Sequence, residues 1–387
     1  MRELLQKGRA NEDKHLSQND MTEPNAVASG ERPKLEVIRQ GALIKLVLNR
    51  PAVLNAFDDD MRQILANEIP RIARNPDVYV VALMSSSAKA FCSGGDVRSV
   101  LVEARQDMAK AKSYFAGEYN LDWLLDCFSK ATVSLINGIC MGSGAGLTTF
   151  NTHRVAGETY KWAMPETAIG LFPDVGIGQV FAKMPWPIGL YLGLTGRAID
   201  RRDGYWLGLA THCIGAQRFD EIMTALADCQ PIDTLLDGLH EPQGAGPLQD
   251  EKSLIEEFFT GDNLDQIIAR LRTASGAAKP WADATLSGLE KRSPMSLRIT
   301  DRQIRLCRNL DLRETLIQDY RLACRCLEAP DFAEGVRAAL IDKDGAPKWS
   351  PAKLEDVSQE MVARYFSSLG EDELKLPTRA EMQKARV

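Results

Sequence analysis

The run VYVVALM at positions 78–84 constrains this chain more than any other stretch: seven apolar residues, rich in valine, with no polar residue alternating through them. Such a run reads as a strand covered on both faces, as in a parallel sheet packed between other layers. Ahead of it, residues 35–39 and 43–48, split by Gln40, Gly41 and Ala42, read as a hairpin, and residues 58–74 as an amphipathic helix. Behind it the pattern repeats, with a polar helical stretch over 97–129, the apolar run 132–136, a glycine-rich turn and a short helix from Gly144. Strands alternating with helices predict an α/β architecture.

Beyond about Gly215 the strand signal fades into helices separated by loops at 240–247 and 274–279. The expected organisation is a flexible N-terminal extension over 1–34, an α/β core over 35–215 and a helical C-terminal region over 216–387. The extension carries Glu12, Asp13, Asp20, Glu23 and Glu31 and no apolar run like that of a signal peptide. Its acidity also argues against a mitochondrial transit peptide, so the expected location is cytoplasmic.

A net charge of −6 excludes a broad basic surface for nucleic acid, although a local basic pocket for a few phosphates stays open. No apolar run approaches the roughly 20 residues of a membrane span. The eight cysteines are scattered, with only Cys324 and Cys326 close together. That matches neither a zinc pattern nor a disulfide framework, and implies reduced core thiols, a reducing compartment and no metal.

Three turns carry the chemistry. The first, Ala90-Phe-Cys-Ser-Gly-Gly-Asp96, and the second, Asn137-Gly-Ile-Cys-Met-Gly-Ser-Gly-Ala-Gly146, each follow a strand and open a helix. Neither holds a GxxxxGK[ST] phosphate loop or a GxGxxG fingerprint, which disfavours a nucleoside triphosphate. Each alone is satisfied by a tight strand-to-helix turn. Together they can aim two backbone amides at one oxygen, the donor geometry of an oxyanion hole. The third, Met164-Pro-Glu-Thr-Ala-Ile-Gly-Leu-Phe-Pro-Asp-Val-Gly-Ile-Gly178, is broken by Pro165, Gly170 and Pro173, so Glu166 and Asp174 lie on a loop that can fold them together. Amid Met164, Ile169, Leu171 and Phe172, partial desolvation would make them stronger bases. The structural alternatives are a helix N-cap at Asp174 and a surface salt bridge at Glu166.

These turns, in this order and roughly 50 and then 20 residues apart, resemble the crotonase (enoyl-CoA hydratase/isomerase) superfamily. Asn49-Arg50-Pro51 with Leu54-Asn55-Ala56 is similar to its opening motif, and residues 331–337 (DFAEGVR) to its C-terminal helix. The likeness runs from about Leu35 to Trp349. Within the superfamily, PETAIGLFPDVG at 165–176, residues 191–196 and 208–212, and IDKDGAPKW at 341–349 resemble the 3-hydroxyisobutyryl-CoA hydrolases. The fold so implied is a crotonase-like spiral of ββα turns followed by a helical C-terminal region.

By the resemblance, the amides of Gly95 and Ser143 hold a thioester carbonyl oxygen, with Gly94 and Asp96 beside the substrate. Glu166 and Asp174 are then the catalytic carboxylates, and Glu118, on its own merely a charge on a helix, becomes a substrate contact. Hydratases of the superfamily carry a first catalytic glutamate where this chain has Gly146, and glycine does no acid/base work; the expected reaction is therefore hydrolysis of a 3-hydroxyacyl-CoA. The usual substrate would place it in valine breakdown. No cofactor is expected, since CoA enters as part of the substrate, and Arg50, Lys89 and Lys343 are candidates for its phosphates. Two departures matter: Ser143 replaces a glycine of the usual MGGG, and Ile177 one of the usual PDVGGG. Phe91, Trp123 and Ile177 are expected to set acyl-pocket depth. The resemblance leaves a homo-oligomer open, with a hydratase or isomerase, or a non-catalytic hydrolase-like subunit of a larger assembly, as the rival readings.

Overall fold

A computed structural model of the chain describes residues 32–387; most of the expected N-terminal extension, residues 1–31, lies outside them. Strands β1 (Leu35–Gln40) and β2 (Leu43–Leu48) form the expected hairpin, antiparallel with Leu35 opposite Leu48. Each of the next three chain passes then supplies two strands. These are β3 (Val80–Ser85) with β4 (Ala90–Cys92), β5 (Ala131–Ile136) with β6 (Ile139–Met141), and β7 (His153–Ala156) with β8 (Lys161–Ala163). The first of each pair joins a six-stranded sheet in the order β1-β2-β3-β5-β7-β9, where β9 is His212–Cys213; the second joins a three-stranded sheet in the order β4-β6-β8. Apart from the hairpin every pairing between these strands is parallel.

The valine-rich run behaves as its composition dictates from Val80 onward, with Tyr79 exposed ahead of the strand. Val81 and Leu83 of β3 pack into one hydrophobic core and Val80 and Ala82 into another, so neither face has water to match a polar alternation. The second core is closed by Ile222, Leu226 and Leu236 from beyond the last strand. The larger core runs from β-sheet residues such as Leu46 to Leu316, Phe332 and Met382 of the helical C-terminal region, so the two parts share one interior.

The helix Asp59–Arg74 begins where Asp58 accepts from Met61 N–H, and buries Met61, Leu65, Ile69 and Ile72 at three- and four-residue spacing. Each such side chain contributes about 1.5–3 kcal/mol of transfer free energy. The expected single helix over 97–129 is two, Val97–Gln106 and Met108–Asp126. Asp107 between them is extended, at φ −148°, and its carboxylate caps the second helix by accepting from Lys110 N–H. An aspartate that satisfies an orphan helix amide competes with helix continuation, which accounts for the break.

Candidate active site

The site follows from the small parallel sheet. Because β4, β6 and β8 run in one direction, the three turns leave the same end of it. Cys92 leads to Gly94-Gly95, Met141 to Gly142-Ser143, and Ala163 to Pro165-Glu166. A cleft of about 750 Å³ lies there, lined by Gly94, Gly95, Asp96, Ser143, Glu166 and Asp174, together with Glu118 and Lys343 from helix and loop. The carboxyl end of parallel strands is where α/β sheets bind ligands, because the backbone turns there carry amides and side chains free of the ladder.

The first turn is fastened from below by the opening motif. Phe57 N–H donates to Gly94 O and Asp96 N–H to Phe57 O, both at 2.8 Å. Asn55, fully buried, donates to Ser85 Oγ and the carbonyls of Ala90 and Phe91 while accepting from Arg50 N–H. Gly94, at φ +111°, packs on the second turn: a Cβ added at Gly142 would lie 3.3 Å from Gly94 Cα and 3.1 Å from Glu166 Oε1. The three turns are thus in contact, and side chains at these glycines would fill the space between them.

The Ser143 departure is accommodated by the backbone. The residue that needs glycine is Gly142, at φ +50°, ψ −123°; Ser143 is the first residue of the helix Ser143–Thr149 and tolerates a side chain. Its Oγ lies 3.0 Å from where a Cβ of Gly95 would stand. Among the described residues, the amides of Gly95 and Ser143 donate to no protein acceptor, as oxyanion donors must be.

Three of the four carboxyl groups that line the cleft are buried rather than solvated. Glu118, Glu166 and Asp174 are 4%, 6% and 5% exposed, which overturns a surface salt bridge for Glu166 and a solvated face for Glu118. Nor is Asp174 a helix cap: it accepts at Oδ2 from the Tyr119 hydroxyl at 2.8 Å. Glu118 Oε1 and Glu166 Oε2 have no hydrogen-bond partner among the described residues, each costing about 1–3 kcal/mol of desolvation. Burial pushes all three pKa values up. For Glu166 burial leads, and the neighbouring Asp174 and Glu118 carboxylates add to it. Glu118 rises to about 8, through burial and the Asp174 charge against the opposing pull of the Ser143 hydroxyl and Arg62. Asp174 rises only to about 6, because the Tyr119 hydroxyl favours its ionised form.

Gly146 has no room for a carboxylate. A Cβ there would lie 2.8 Å from Val175 Cβ and 2.9 Å from Asp122 Oδ1. Asp122, one turn after Glu118, is buried and held well above the usual carboxylate range by burial and by Glu118, Asp174 and Asp319.

Several expected site residues lie elsewhere. Arg50 is held between Asp58 at 3.4 Å and Asp96 at 3.3 Å, two carboxylates that occupy its charge, and it does not line the cleft. Lys89 is exposed at the foot of the first turn and away from the cleft. Lys343 lines the cleft mouth in a left-handed conformation, with Arg337 paired to its neighbours Asp342 and Asp344 and no ion pair of its own among the described residues. Arg98, which sequence reasoning passed over, lines the same mouth and donates to Leu340 O. Phe91, Trp123 and Ile177 are buried in the core and none lines the cleft; Ile177 opens the helix Ile177–Lys183 behind Gly176. Seven cysteines are buried and free, Cys229 is exposed, and no three potential ligands gather for a metal among the described residues.

The model of the family described as enoyl-CoA hydratase/isomerase matches residues 43–366. The chain belongs to the enoyl-CoA hydratase/isomerase family. Among similar members, the mitochondrial 3-hydroxyisobutyryl-CoA hydrolase of Gallus gallus is 36% identical over 87% of this chain and 90% of its own length. 3-Hydroxyisobutyryl-CoA hydrolase 1 of Arabidopsis thaliana is also 36% identical, over 92% and 97%. A carnitinyl-CoA dehydratase structure from Mycobacterium thermoresistibile superposes with a TM-score of 0.84 at 32% identity, covering 89% of this chain and 99% of that one. An enoyl-CoA hydratase structure from Rhodobacter sphaeroides gives 0.82 at 32% identity over 89% and 100%. The family's fold accounts for the paired strands and the helical C-terminal region described above.

Proposed function

We propose that this family member hydrolyses a 3-hydroxyacyl-CoA thioester, with 3-hydroxyisobutyryl-CoA as substrate and 3-hydroxyisobutyrate and CoA as products. The observation that carries the reading is that one cleft gathers Glu166 and Asp174 with Gly95 and Ser143, whose amides have no acceptor among the described residues, while the Gly146 position has no room for a further carboxylate. The relatives named as 3-hydroxyisobutyryl-CoA hydrolases support the substrate.

In this mechanism the amides of Gly95 and Ser143 receive the thioester oxygen, each worth roughly 3–4 kcal/mol as negative charge develops. Glu166, a strong base once ionised because it is poorly solvated, takes a proton from water or attacks the carbonyl carbon itself to give a mixed anhydride. In the first route that water adds to the carbonyl carbon, the C–S bond breaks to release the acid, and the departing CoA thiolate takes the proton back from Glu166; in the second the C–S bond breaks as the anhydride forms, and one water then cleaves the anhydride, giving the acid and ionised Glu166 while its proton goes to the thiolate. Asp174, held by Tyr119, binds the substrate hydroxyl or orients the water, and Glu118 contacts the acyl group. Lys343 meets the CoA phosphates at the mouth. No cofactor is required, since CoA is part of the substrate.

Addition of water to an enoyl-CoA is the second reading, favoured by the names of the two superposed proteins. The closed Gly146 position stands against it. Thiol release from 3-hydroxyisobutyryl-CoA, measured beside hydration of crotonyl-CoA, separates the two, and full thiol release by Glu166→Ala would overturn the mechanism. Release from no acyl-CoA would favour a non-catalytic subunit. No helix among the described residues is long and apolar enough to cross a membrane. The cytoplasmic location is part of the proposal; vertebrate relatives carry "mitochondrial" in their names, so cell fractionation decides it. Sedimentation of the purified chain decides whether it forms a homo-oligomer.

A further inference from the structure

The turn that carries Asp174 is gripped from behind by two residues that do not line the cleft. Asp319, in the helix Leu312–Glu328 and fully buried, accepts from Gly176 N–H at 2.9 Å and from Gln303 Nε2 at 2.8 Å. The same Gln303 nitrogen, in the helix Pro294–Leu306, donates to Pro173 O at 2.9 Å. These bonds close on the backbone either side of Asp174 and Val175.

Between them Val175 stands at φ +51°. A β-branched side chain takes that left-handed conformation only where its surroundings enforce it. Gly178 lets the clamp approach: a Cβ there would lie 2.9 Å from Gln303 Nε2. The chemistry of Asp319 is also specific. Among the described residues it has no ion pair, so burying a carboxyl there is costly unless it is used. A carboxylate accepts in two directions at once. An asparagine would accept from Gly176 with its oxygen and then turn an NH₂ toward the Gln303 donor.

We infer that Asp319 and Gln303 are positioning residues for Asp174: together they hold the 173–176 turn in its strained form and so bring the Asp174 carboxyl to Tyr119 and the cleft. This rests on the reading that Asp174 takes part in thioester hydrolysis. Neither residue touches the reacting atoms; both act through the backbone of the turn.

The test measures thiol release from 3-hydroxyisobutyryl-CoA, per folded enzyme and across pH, for Asp319→Ala, Gln303→Ala and Tyr119→Phe. Leu316→Ala, a core deletion one turn earlier on the same helix, serves as the control. A misplaced catalytic group costs up to about 100-fold, and the expected kcat loss for the two clamp variants is about 10- to 100-fold with KM within about two-fold. Their pH dependence should move toward that of Tyr119→Phe, whereas Leu316→Ala should lose thermal stability and keep the kcat and pH profile of the unsubstituted protein. Clamp variants that behave like Leu316→Ala overturn the inference. Should both alanine variants fail to fold, Asp319→Asn, which keeps the acceptor for Gly176 N–H, is expected to show a smaller loss of about 3- to 10-fold; an unchanged kcat and pH profile would overturn the idea equally. Asp174→Asn is run alongside. Full turnover there would remove the hydrolysis reading and the inference with it, while an impaired Asp174→Asn beside a fully active Asp319→Ala removes the inference alone.

Discussion

The Tyr119 hydroxyl donates to Asp174 Oδ2 at 2.8 Å, and this bond keeps the Asp174 carboxyl more acidic than those of Glu118 and Glu166. A donor that favours the ionised form lowers a carboxyl pKa, so its removal raises it. Tyr119→Phe should therefore lift Asp174 above its present value of about 6. A hydrogen bond to a charged group is worth about 1.5–3 kcal/mol, which converts to about one to two pH units. The pH dependence of kcat/KM for thiol release should shift by that amount to higher pH, and the variant should melt at a lower temperature above that pH, where the buried carboxylate has lost its donor. An unmoved profile counts against a working role for the pair.

Glu166 responds to its neighbours in the opposite sense. Its pKa is raised first by burial and then by the negative charge of Asp174. In its proposed role as base or nucleophile it must be ionised, so kcat/KM should rise with pH in the unsubstituted protein. Asp174→Asn deletes the nearest like charge and should move the Glu166 ionisation to lower pH, even as kcat falls. A profile shifting to higher pH in that variant, or not at all, would contradict the electrostatic account.

Much of this arrangement was legible in the sequence, and the parts that were not share a cause. The valine-rich run at 78–84 reveals a two-sided strand because burial on both faces leaves a one-dimensional signature, and β3 carries it into two cores. The glycine turns are equally local. Their convergence is not: it depends on β4, β6 and β8 running parallel side by side, Cys140 beside Trp162 and Cys92 beside Cys140. Arg50 looked free to meet a phosphate because Asp58 and Asp96, which hold it, are joined to it only by the fold. One signal in the helix Met108–Asp126 went unused. Glu118 and Asp122 fall on the buried stripe of Ala111, Phe115 and Tyr119, where carboxyls break the apolar pattern. Such breaks mark places where stability yields to function.

That yielding is measurable at Glu118. Its folded-state pKa of about 8 lies above the ordinary 4.5, so its burial favours the neutral form. The stability associated with the neutral group is fully present below the unfolded pKa and is lost as pH rises through about 8. Glu118→Gln keeps the shape and removes the ionisation. The variant should melt at a temperature near that of the unsubstituted protein at pH 5 and several degrees higher at pH 9, since each pH unit that separates the folded and unfolded ionisations is worth about 1.4 kcal/mol. Its thiol release should fall at both pH values. Equal melting temperatures across that range would show that Glu118 is solvated instead.

Hydration of an enoyl-CoA, the second reading of the site, turns on position 146. Restoring a glutamate at position 146 would seem the direct route to a hydratase, but the space is taken. A Cβ at Gly146 meets Val175 Cβ at 2.8 Å and Asp122 Oδ1 at 2.9 Å, closer than such atoms approach without one of them moving. Val175 is itself fixed at φ +51° beside Asp174, so displacing it disturbs the carboxyl group proposed to take part in hydrolysis. A glutamate would also bring a fourth carboxyl toward Glu118, Asp122 and Asp174, where the Asp174 charge already pushes the other two pKa values up. Overpacking of this kind costs about 1–3 kcal/mol. Gly146→Glu is thus expected to melt several degrees lower, to lose most thiol release, and to gain no hydration of crotonyl-CoA. Gly146→Ala, which adds the clash without the charge, should lose stability to a lesser degree and retain part of the thiol release. Hydration of crotonyl-CoA by Gly146→Glu would mean that the site is governed by one missing carboxylate, and that the packing of Val175 and Asp122 against Gly146 does not set the reaction.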